Sequence, residues 1–285
     1  MSAAVPVVST IPELRAYVRE RRAAGERIGL VPTMGALHEG HLSLVETVQR
    51  RADRVIATIF VNPSQFGPGE DFAKYPRTLA ADLDRLASVR ADLAFAPSVA
   101  DIYPEGFATR VEMDGPAKAG LEDRFRPTHF CGVATVVTKL LNQAQADVAV
   151  FGEKDFQQLL VIRRLARDLD IATEIVAAPT RREADGLAMS SRNVYLSAED
   201  RRRAPALFRA LSQAARRIAT GEEIGHVMSE AAEAVASAGF DIDYLEARHA
   251  ETLERVVTQG DGPVRLLAAA RLGATRLIDT LAVET

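Results

Sequence analysis

The sequence has little of what several classes of protein require. Its 285 residues include one cysteine, Cys131, which excludes an internal disulfide and a cysteine-rich zinc site. Lys and Arg total 35 against 39 Asp and Glu, a net charge of −4, so the chain lacks the basic surface of a nucleic-acid binder. Apolar runs are far shorter than the ~20 residues that span a bilayer, and no basic segment of a signal peptide opens the chain. We expect no nucleic-acid partner, no membrane association and a cytoplasmic location.

The apolar content, by contrast, is sufficient for a folded core. Hydrophobic residues make up 47% of the chain, as in globular proteins, and its length suits one large or two ordinary domains. Strand-like runs alternate with helical ones up to about residue 180. The strands are predicted at 27–33, 54–62, 91–97, 147–151 and 171–177, and the helices at 40–52, 79–89, 129–145 and 153–168. This alternation predicts an α/β, Rossmann-like domain with a parallel sheet over residues 1–179.

The pattern changes near Pro179. Two long helices are predicted at 198–219 and 222–239, followed by strands at 241–248, 264–270 and 275–283. Helices followed by hairpin-type strands are typical of an α+β arrangement. The sequence therefore predicts a smaller C-terminal α+β domain over residues 180–285, which we expect to act as a lid.

The segment VPTMGALHEGH carries the strongest chemical signal. His38 and His41 lie three residues apart where a strand ends and a helix begins, so both imidazoles share one face of the first turn. A helix N-terminus offers N–H groups and a partial positive charge to phosphate, and imidazoles add hydrogen bonds or, if protonated, charge. Gly40 has no Cβ and would let a nucleotide ring approach the helix. Two satisfied structural histidines are the plainer alternative.

HEGH resembles the HxGH signature of the nucleotidyltransferase and class I aminoacyl-tRNA synthetase superfamily. The longer strings PTMGALHEGH, IFVNPSQFG, GEKDFQQ and DGLAMSSRN occur in the order found in the pantoate–β-alanine ligase family, and the similarity covers nearly the whole chain. The resemblance implies ATP-dependent condensation of pantoate with β-alanine through a pantoyl adenylate, releasing AMP and pyrophosphate. It also implies Mg²⁺ accompanying ATP, no tightly bound organic cofactor, and a homodimer.

The remaining strings have chemistry of their own beside that resemblance. Asn62 and Gln65 are neutral amides that could orient a hydroxy acid without a salt bridge to its carboxylate. From the residues alone an Asn/Pro turn with capping amides is the simpler explanation, which the resemblance reverses for Gln65. At the next strand-to-helix turn, Lys154 is misplaced at a helix N-terminus unless an anion lies nearby, whereas Glu153 is an ordinary helix starter. Gln158 is one turn further on and faces the same way.

The resemblance assigns roles to particular residues. Catalysis falls to His38, His41, Lys154 and Arg192, and binding of pantoate and β-alanine to Asn62, Gln65 and Gln158. ATP binding falls to Pro32, Thr33, Met34, Gly35, His38, Gly40, His41, Gly152, Glu153, Lys154, Asp155, Arg181, Met189, Ser190, Ser191 and Arg192. The two hydroxyls and the guanidinium of the MSSR string suit a triphosphate. The string resembles the mobile KMSKS loop of the superfamily.

Several residues leave alternatives open. Asp82 could meet Mg²⁺ through water, but Asp82 and Asp84 are more simply exposed helix carboxylates. Arg126 and His129 are expected near the substrate mouth, and Cys131 as a buried apolar residue. Arg181 stands where the family has a small apolar residue, which matters only if a side chain there contacts adenine.

Two other functions compete with the ligase. A nucleotidyltransferase that makes a dinucleotide cofactor would share HEGH but would not need the two glutamines. A non-catalytic nucleotide sensor would bind ATP without converting it to AMP. A tRNA synthetase is disfavoured by the chain length and the acidic charge balance.

Overall fold

The computed structural model describes residues 4–284. Within this range, six parallel strands form one sheet in the order β1-β4-β3-β2-β5-β6. They are β1 (Val7–Val8), β2 (Ile28–Thr33), β3 (Arg54–Ile59), β4 (Leu93–Phe95), β5 (Val148–Gly152) and β6 (Glu174–Ala178). The predicted α/β class and the Rossmann-like parallel sheet are confirmed.

Helices cover both faces of this sheet. They are α1 (Ile11–Ala23), α2 (Glu39–Gln49), α3 (Leu79–Ser88), α4 (Val99–Ile102), α5 (Glu122–Phe125), α6 (His129–Ala144) and α7 (Phe156–Asp168). Successive β2 residues point to opposite faces: Leu30 joins the core formed with α1, α6 and α7, whereas Val31 joins the core formed with α2 and α3. No helix within residues 4–284 is long and apolar enough to cross a membrane.

The alternation of strands and helices did not reveal α1, and it left residues 98–128 without elements. Helix α1 begins at a capping box, in which the Thr10 side chain accepts from the Glu13 N–H and the Glu13 carboxylate accepts from the Thr10 N–H. Its buried side chains are few, Leu14 and Val18, so its apolar periodicity is weak. The capping signature was the signal that could have identified it.

The strand order reverses at β2. From β2 the chain crosses to β3 on one side, and after β4 it returns to pair β5 with the other side of β2. Because the connections then leave on opposite faces, a crevice forms beyond the carboxyl ends of β2 and β5. The HEGH segment follows β2 and the GEKD segment follows β5, so the topology brings them together.

The C-terminal part is an antiparallel sheet covered by helices. Its elements are α8 (Ala198–Arg203), α9 (Ala206–Ala219), α10 (Ile224–Ser237), β7 (Asp241–His249), β8 (Val264–Leu272) and β9 (Thr275–Ala282), with sheet order β7-β8-β9. The continuous helix expected over 198–219 is wrong, because Pro205 has no N–H to continue the α8 ladder and instead precedes α9.

Strand β8 joins the two parts of the molecule. Its Leu267 and Ala269 pack into the core of the parallel-sheet part, whereas Leu266 and Ala268 pack with α9 and α10. The antiparallel sheet is therefore buried on both faces, and one face lies directly against α7. The domain boundary at residues 179 and 180 stays a prediction.

Gly132 allows α6 to approach the loop that follows β3. A Cβ at Gly132 would lie 2.2 Å from the backbone oxygen of Ser64, and a backbone carbonyl cannot move aside as a side chain can. We expect Gly132→Ala to lower the free energy of unfolding by about 1–3 kcal/mol, measured by urea denaturation. Helix propensity alone would raise it by about 1 kcal/mol, so the sign is diagnostic. In the control Gly260→Ala, at an exposed position, the nearest atom is the Thr258 hydroxyl oxygen at 3.5 Å, an ordinary contact, and no comparable loss is expected.

Candidate functional site

A cavity of about 220 Å³ lies at the carboxyl ends of β2 and β5. Nearly all residues predicted for the site line it: Pro32, Thr33, Met34, His38, Gly40, His41, Asn62, Gln65, Gly152, Lys154, Asp155, Gln158, Arg181, Met189, Ser190, Ser191 and Arg192. Three predicted residues, Gly35, Glu153 and Asp82, do not line it. The four strings therefore converge on one cavity.

The two histidines form the N-terminus of α2 with their own side chains. His38 is the N-cap residue, and its Nδ1 accepts the N–H of Gly40 at 3.1 Å. The Nδ1 of His41 accepts the N–H of His38 at 3.3 Å. The two ring centroids are 4.1 Å apart. Because this reciprocal cap occupies the N–H groups of His38 and Gly40, those two groups do not donate to the cavity. The imidazoles themselves are left to supply donors there.

Both imidazoles are neutral. Burial, followed by the charges of Lys154 and Arg85, lowers the pKa of His38 to about 4, and burial lowers the pKa of His41 well below its usual value. Since each Nδ1 accepts a hydrogen bond, the proton of each neutral ring is on Nε2. Among residues 4–284 neither Nε2 atom has a hydrogen-bond partner. Of the two possibilities raised by the sequence, hydrogen bonds or a positive charge, the neutral rings offer the first, as two N–H donors.

The absence of a side chain at Gly40 has a structural reason besides the one expected. A Cβ there would lie 2.8 Å from the Cε1 and Nδ1 atoms of His38, so the glycine makes room for the capping imidazole. A side chain at this position would displace the ring that caps the helix.

The expectation that Asp82 is exposed is wrong. Only 1% of its surface is accessible, and its carboxylate accepts the N–H groups of Ala36 at 3.1 Å and Leu37 at 2.7 Å. The Thr78 hydroxyl donates to the same carboxylate. Asp82 therefore holds the loop that leads into HEGH, and it does not line the cavity. Asp84 is exposed, as the simpler interpretation predicted.

The amides after β3 form a connected set. Asn62 is 1% exposed; its Oδ1 accepts from the Tyr103 hydroxyl at 2.7 Å, and its Nδ2 donates to Gln65 Oε1 at 3.1 Å. The Asn62 side chain is thus occupied in shaping the loop and orienting Gln65. The Gln65 Nε2 group lies 3.2 Å from the sulfur of Met34, a weak acceptor, and is therefore the amide donor available to a ligand. Gln158 lines the cavity and has no side-chain hydrogen bond within the described part of the chain.

His129 and Arg126 fix the backbone of Gln65. Arginine has no acceptor, so the 3.2 Å contact of Arg126 Nη1 with His129 Nε2 makes Nε2 the acceptor. The other ring nitrogen, Nδ1, must then carry the proton and donate to the Gln65 carbonyl at 3.0 Å. Burial, assisted by the Arg126 charge, lowers the pKa of His129 to about 4 and preserves this tautomer. Both residues line the cavity, but they act on the loop.

Lys154 lies in a 3₁₀ turn, Glu153–Asp155, that precedes α7. Its Nζ donates to the Met189 carbonyl at 3.4 Å and is 3.9 Å from Asp155 Oδ2. Glu153, assigned to ATP by the resemblance, instead accepts from Arg265 of β8 at 3.1 Å. The predicted helix over 153–168 therefore begins with a tighter turn, which points Lys154 and Asp155 to the cavity and Glu153 to the second sheet.

The MSSR segment is docked on the loop that follows β3. Arg192 donates from Nε and Nη2 to the two oxygens of Asp71, both at 2.9 Å. Burial opposes the charge of this guanidinium, but the Asp71 bond outweighs it and raises the pKa of Arg192. The Ser191 hydroxyl is 3.0 Å from the Tyr75 hydroxyl, and Ser190 caps its own turn by accepting the Arg192 N–H. The bidentate pair leaves Nη1 of Arg192 available.

Two features of the wall complete the site. Arg181 lines the cavity, and its exposed guanidinium is 3.9 Å from the Glu46 carboxylate. Sequence reasoning missed an apolar wall made of Phe60, Val133, Val136, Val137, Leu140 and Phe151. Four of these residues recur at helical spacing on α6, and this spacing was the available signal. Because α6 is buried almost all round, however, the spacing does not distinguish the face that lines the cavity.

The donor set does not form a metal centre by itself. Within residues 4–284, no group of three or more His, Cys, Asp or Glu side chains could hold a metal ion. Cys131 is a free, half-buried thiol on α6.

Comparisons with known proteins agree with one another. The model of the family named pantoate-beta-alanine ligase matches residues 6–282. A pantothenate synthetase of Rhodopseudomonas palustris (strain BisA53) is 56% identical over 283 residues, covering 99% of this chain and 100% of that protein. A pantothenate synthetase structure from Thermus thermophilus has a TM-score of 0.93 at 48% identity, covering 99% and 100% of the two chains. The pantoate-beta-alanine ligase of Francisella tularensis, complexed with beta-gamma ATP and β-alanine, has a TM-score of 0.81 at 34% identity, covering 99% of each chain.

The neutral state of His129 has a consequence for stability. Its pKa is about 4 in the folded chain against 6.5 ordinarily, so between these values the unfolded chain binds more protons and stability rises with pH. We expect His129→Asn to reduce this rise by up to about 1.4 kcal/mol per pH unit, whatever its effect on absolute stability. Urea denaturation at intervals from pH 4.5 to 6.5 measures the slopes. Parallel curves for the variant and the wild type would contradict the neutral assignment.

Proposed function

The chain belongs to the pantoate–β-alanine ligase family and is an enzyme that joins an acid to an amino acid through a C–N bond; we propose that it condenses pantoate with β-alanine through a pantoyl adenylate. ATP is the co-substrate, and AMP and pyrophosphate are released. The observation that supports this proposal is the convergence of phosphate donors and uncharged amides on one cavity. A dinucleotide-forming transferase would need the donors but not the amides.

The phosphate side consists of neutral and charged donors. His38 and His41 supply Nε2–H groups, Lys154 supplies an ammonium, and Arg192 supplies the Nη1 group that Asp71 leaves available. Donors held by a reciprocal cap need no reorganisation when charge develops on the leaving pyrophosphate. We assign these four residues to stabilisation of that charge.

The pantoate side combines apolar and amide groups. Pantoate carries a dimethyl-substituted carbon, two hydroxyls and a carboxylate. The wall from α6, Phe60 and Phe151 suits the methyl groups, and Gln65 and Gln158 suit the hydroxyls. Neither glutamine carries a charge, so the carboxylate keeps its electron pair free to attack.

Activation precedes amide formation for a chemical reason. Direct attack on a carboxylate would expel oxide, whereas attack on an acyl adenylate expels AMP. The pantoate carboxylate oxygen attacks the α-phosphorus of ATP, the bond to the bridging oxygen breaks, and pyrophosphate leaves. The amine of β-alanine, after losing a proton, attacks the acyl carbon, and the C–O bond to AMP breaks. No covalent enzyme intermediate is required.

Magnesium is assigned to ATP rather than to the protein. The one residue considered for it, Asp82, uses its oxygens on the backbone of the preceding loop. The ion would arrive as the ATP complex, held by phosphate oxygens. The homodimer and the cytoplasmic location expected from the sequence stay predictions.

The two-step order is directly testable. Because activation needs only ATP and pantoate, we expect pantoate-dependent exchange of labelled pyrophosphate into ATP when β-alanine is absent. Gln158→Ala should abolish most of this exchange, since it removes an amide from the pantoate side. If exchange requires β-alanine, the adenylate order is wrong; if ATP binds but is never converted to AMP, the chain is a sensor rather than a ligase.

The histidine donors can be tested separately. We expect His38→Ala or His41→Ala to lower the exchange rate by about 10²-fold, the scale of removing one preorganised donor. His226→Ala provides a matched control, because His226 lies exposed on α10 away from the cavity. Circular dichroism would verify folding. Near-normal exchange in both site variants would refute the assignment.

A further inference from the structure

One guanidinium of the second sheet contacts both ends of the turn that carries Lys154. Arg265, on β8, is 7% exposed and donates from Nη2 to Glu153 Oε2 at 3.1 Å. The same guanidinium lies over the ring of Phe156, 4.2 Å from its centroid. Glu153 begins the 3₁₀ turn and Phe156 begins α7, so Lys154 lies between the two contacts.

The arginine is itself fixed to the antiparallel sheet. Its Nε donates to the Thr280 hydroxyl of β9 at 2.8 Å, so a contact within the antiparallel sheet also holds the guanidinium. Side-chain caps do not support the turn within the described chain, because Gly152 has no side chain and Asp155 makes no cap hydrogen bond. The direction in which Lys154 leaves the turn therefore depends on the second sheet as well as on the Met189 carbonyl, which accepts from Nζ at 3.4 Å.

We propose that Arg265 is a positioning residue for ATP use: it clamps Glu153 and Phe156 and thereby aims the Lys154 ammonium at the phosphate side of the cavity. The proposal rests on the proposed function for the role of Lys154. Arg265 does not line the 220 Å³ cavity, so it acts through the turn and does not touch substrate. It also gives the C-terminal part a role in the site beyond the MSSR segment.

The test compares two buried arginines of the same sheet. Arg265→Gln is matched by Arg248→Gln: Arg248, on β7, is 5% exposed, pairs with Glu246 and donates to the Ala119 carbonyl of the other part, but lies away from the cavity. The readouts are the dissociation constant of a non-hydrolysable ATP analogue by calorimetry, and KM and kcat for pyrophosphate exchange. Thermal unfolding of both variants measures the loss of stability.

We expect Arg265→Gln to weaken the analogue and to lower kcat/KM for ATP by about 10- to 100-fold, with KM for pantoate within about twofold. Arg248→Gln should change none of these by more than about twofold at a temperature where both variants are folded. Arg265→Lys, which keeps a charge beside Glu153, should recover part of the loss. Equal effects on ATP and pantoate, or no effect, would overturn the proposal.

Glu153→Gln tests the other end of the clamp if Arg265→Gln does not fold, because the Glu153 side chain is 30% exposed. It should reproduce the ATP-specific loss. If Arg265→Gln does fold, the double variant should lose little more than either single variant, since both substitutions remove the same contact. Additive losses would show that the two residues act independently and would contradict the clamp. A wild type that binds the analogue but shows no exchange refutes the proposed function, and the binding data then decide the clamp alone.

Discussion

The reversal of strand order at β2 is the constraint on which the whole site depends. Because β2 pairs with β3 on one side and β5 on the other, the helices that follow β2 and β5 pack on opposite faces of the sheet. Their N-termini then face each other across one crevice. His38 and Lys154, distant in the chain, line the same cavity for this reason.

Carboxylates around the crevice act mainly on protein groups. Asp82 holds the loop before HEGH, Asp71 holds Arg192, and Glu153 holds Arg265. Glu122, buried, accepts both terminal nitrogens of Arg276 and so ties the first part to β9. A carboxylate paired with an arginine, as Asp71 and Glu153 are, presents little net charge to an anionic substrate. The site can therefore be rich in acids and still suit a triphosphate and a carboxylate.

The histidines follow a related logic. Burial next to Lys154 disfavours the charged ring, and the backbone N–H groups take each Nδ1. What remains is a neutral N–H donor of fixed direction, which suits an anion without competing for a proton. Charge is left to Lys154 and to Arg192, each held by a contact from another segment.

The alternating strands and helices, the four strings and the family could all be predicted from the amino-acid sequence, because each depends on local periodicity or on contiguous letters. The partners of the polar side chains could not. Asp82 was expected to be exposed because helix periodicity does not reveal the loop that folds over it. The apolar spacing predicted one continuous helix across Pro205, where the structure has a break. Glu153 turned to Arg265 rather than to the cavity. Only the tertiary structure decided these partners, because hydrogen bonds and ion pairs act over a few ångströms. In the Glu153–Arg265 and Arg192–Asp71 pairs, the two residues are more than a hundred positions apart in the sequence, and folding alone brings them into contact.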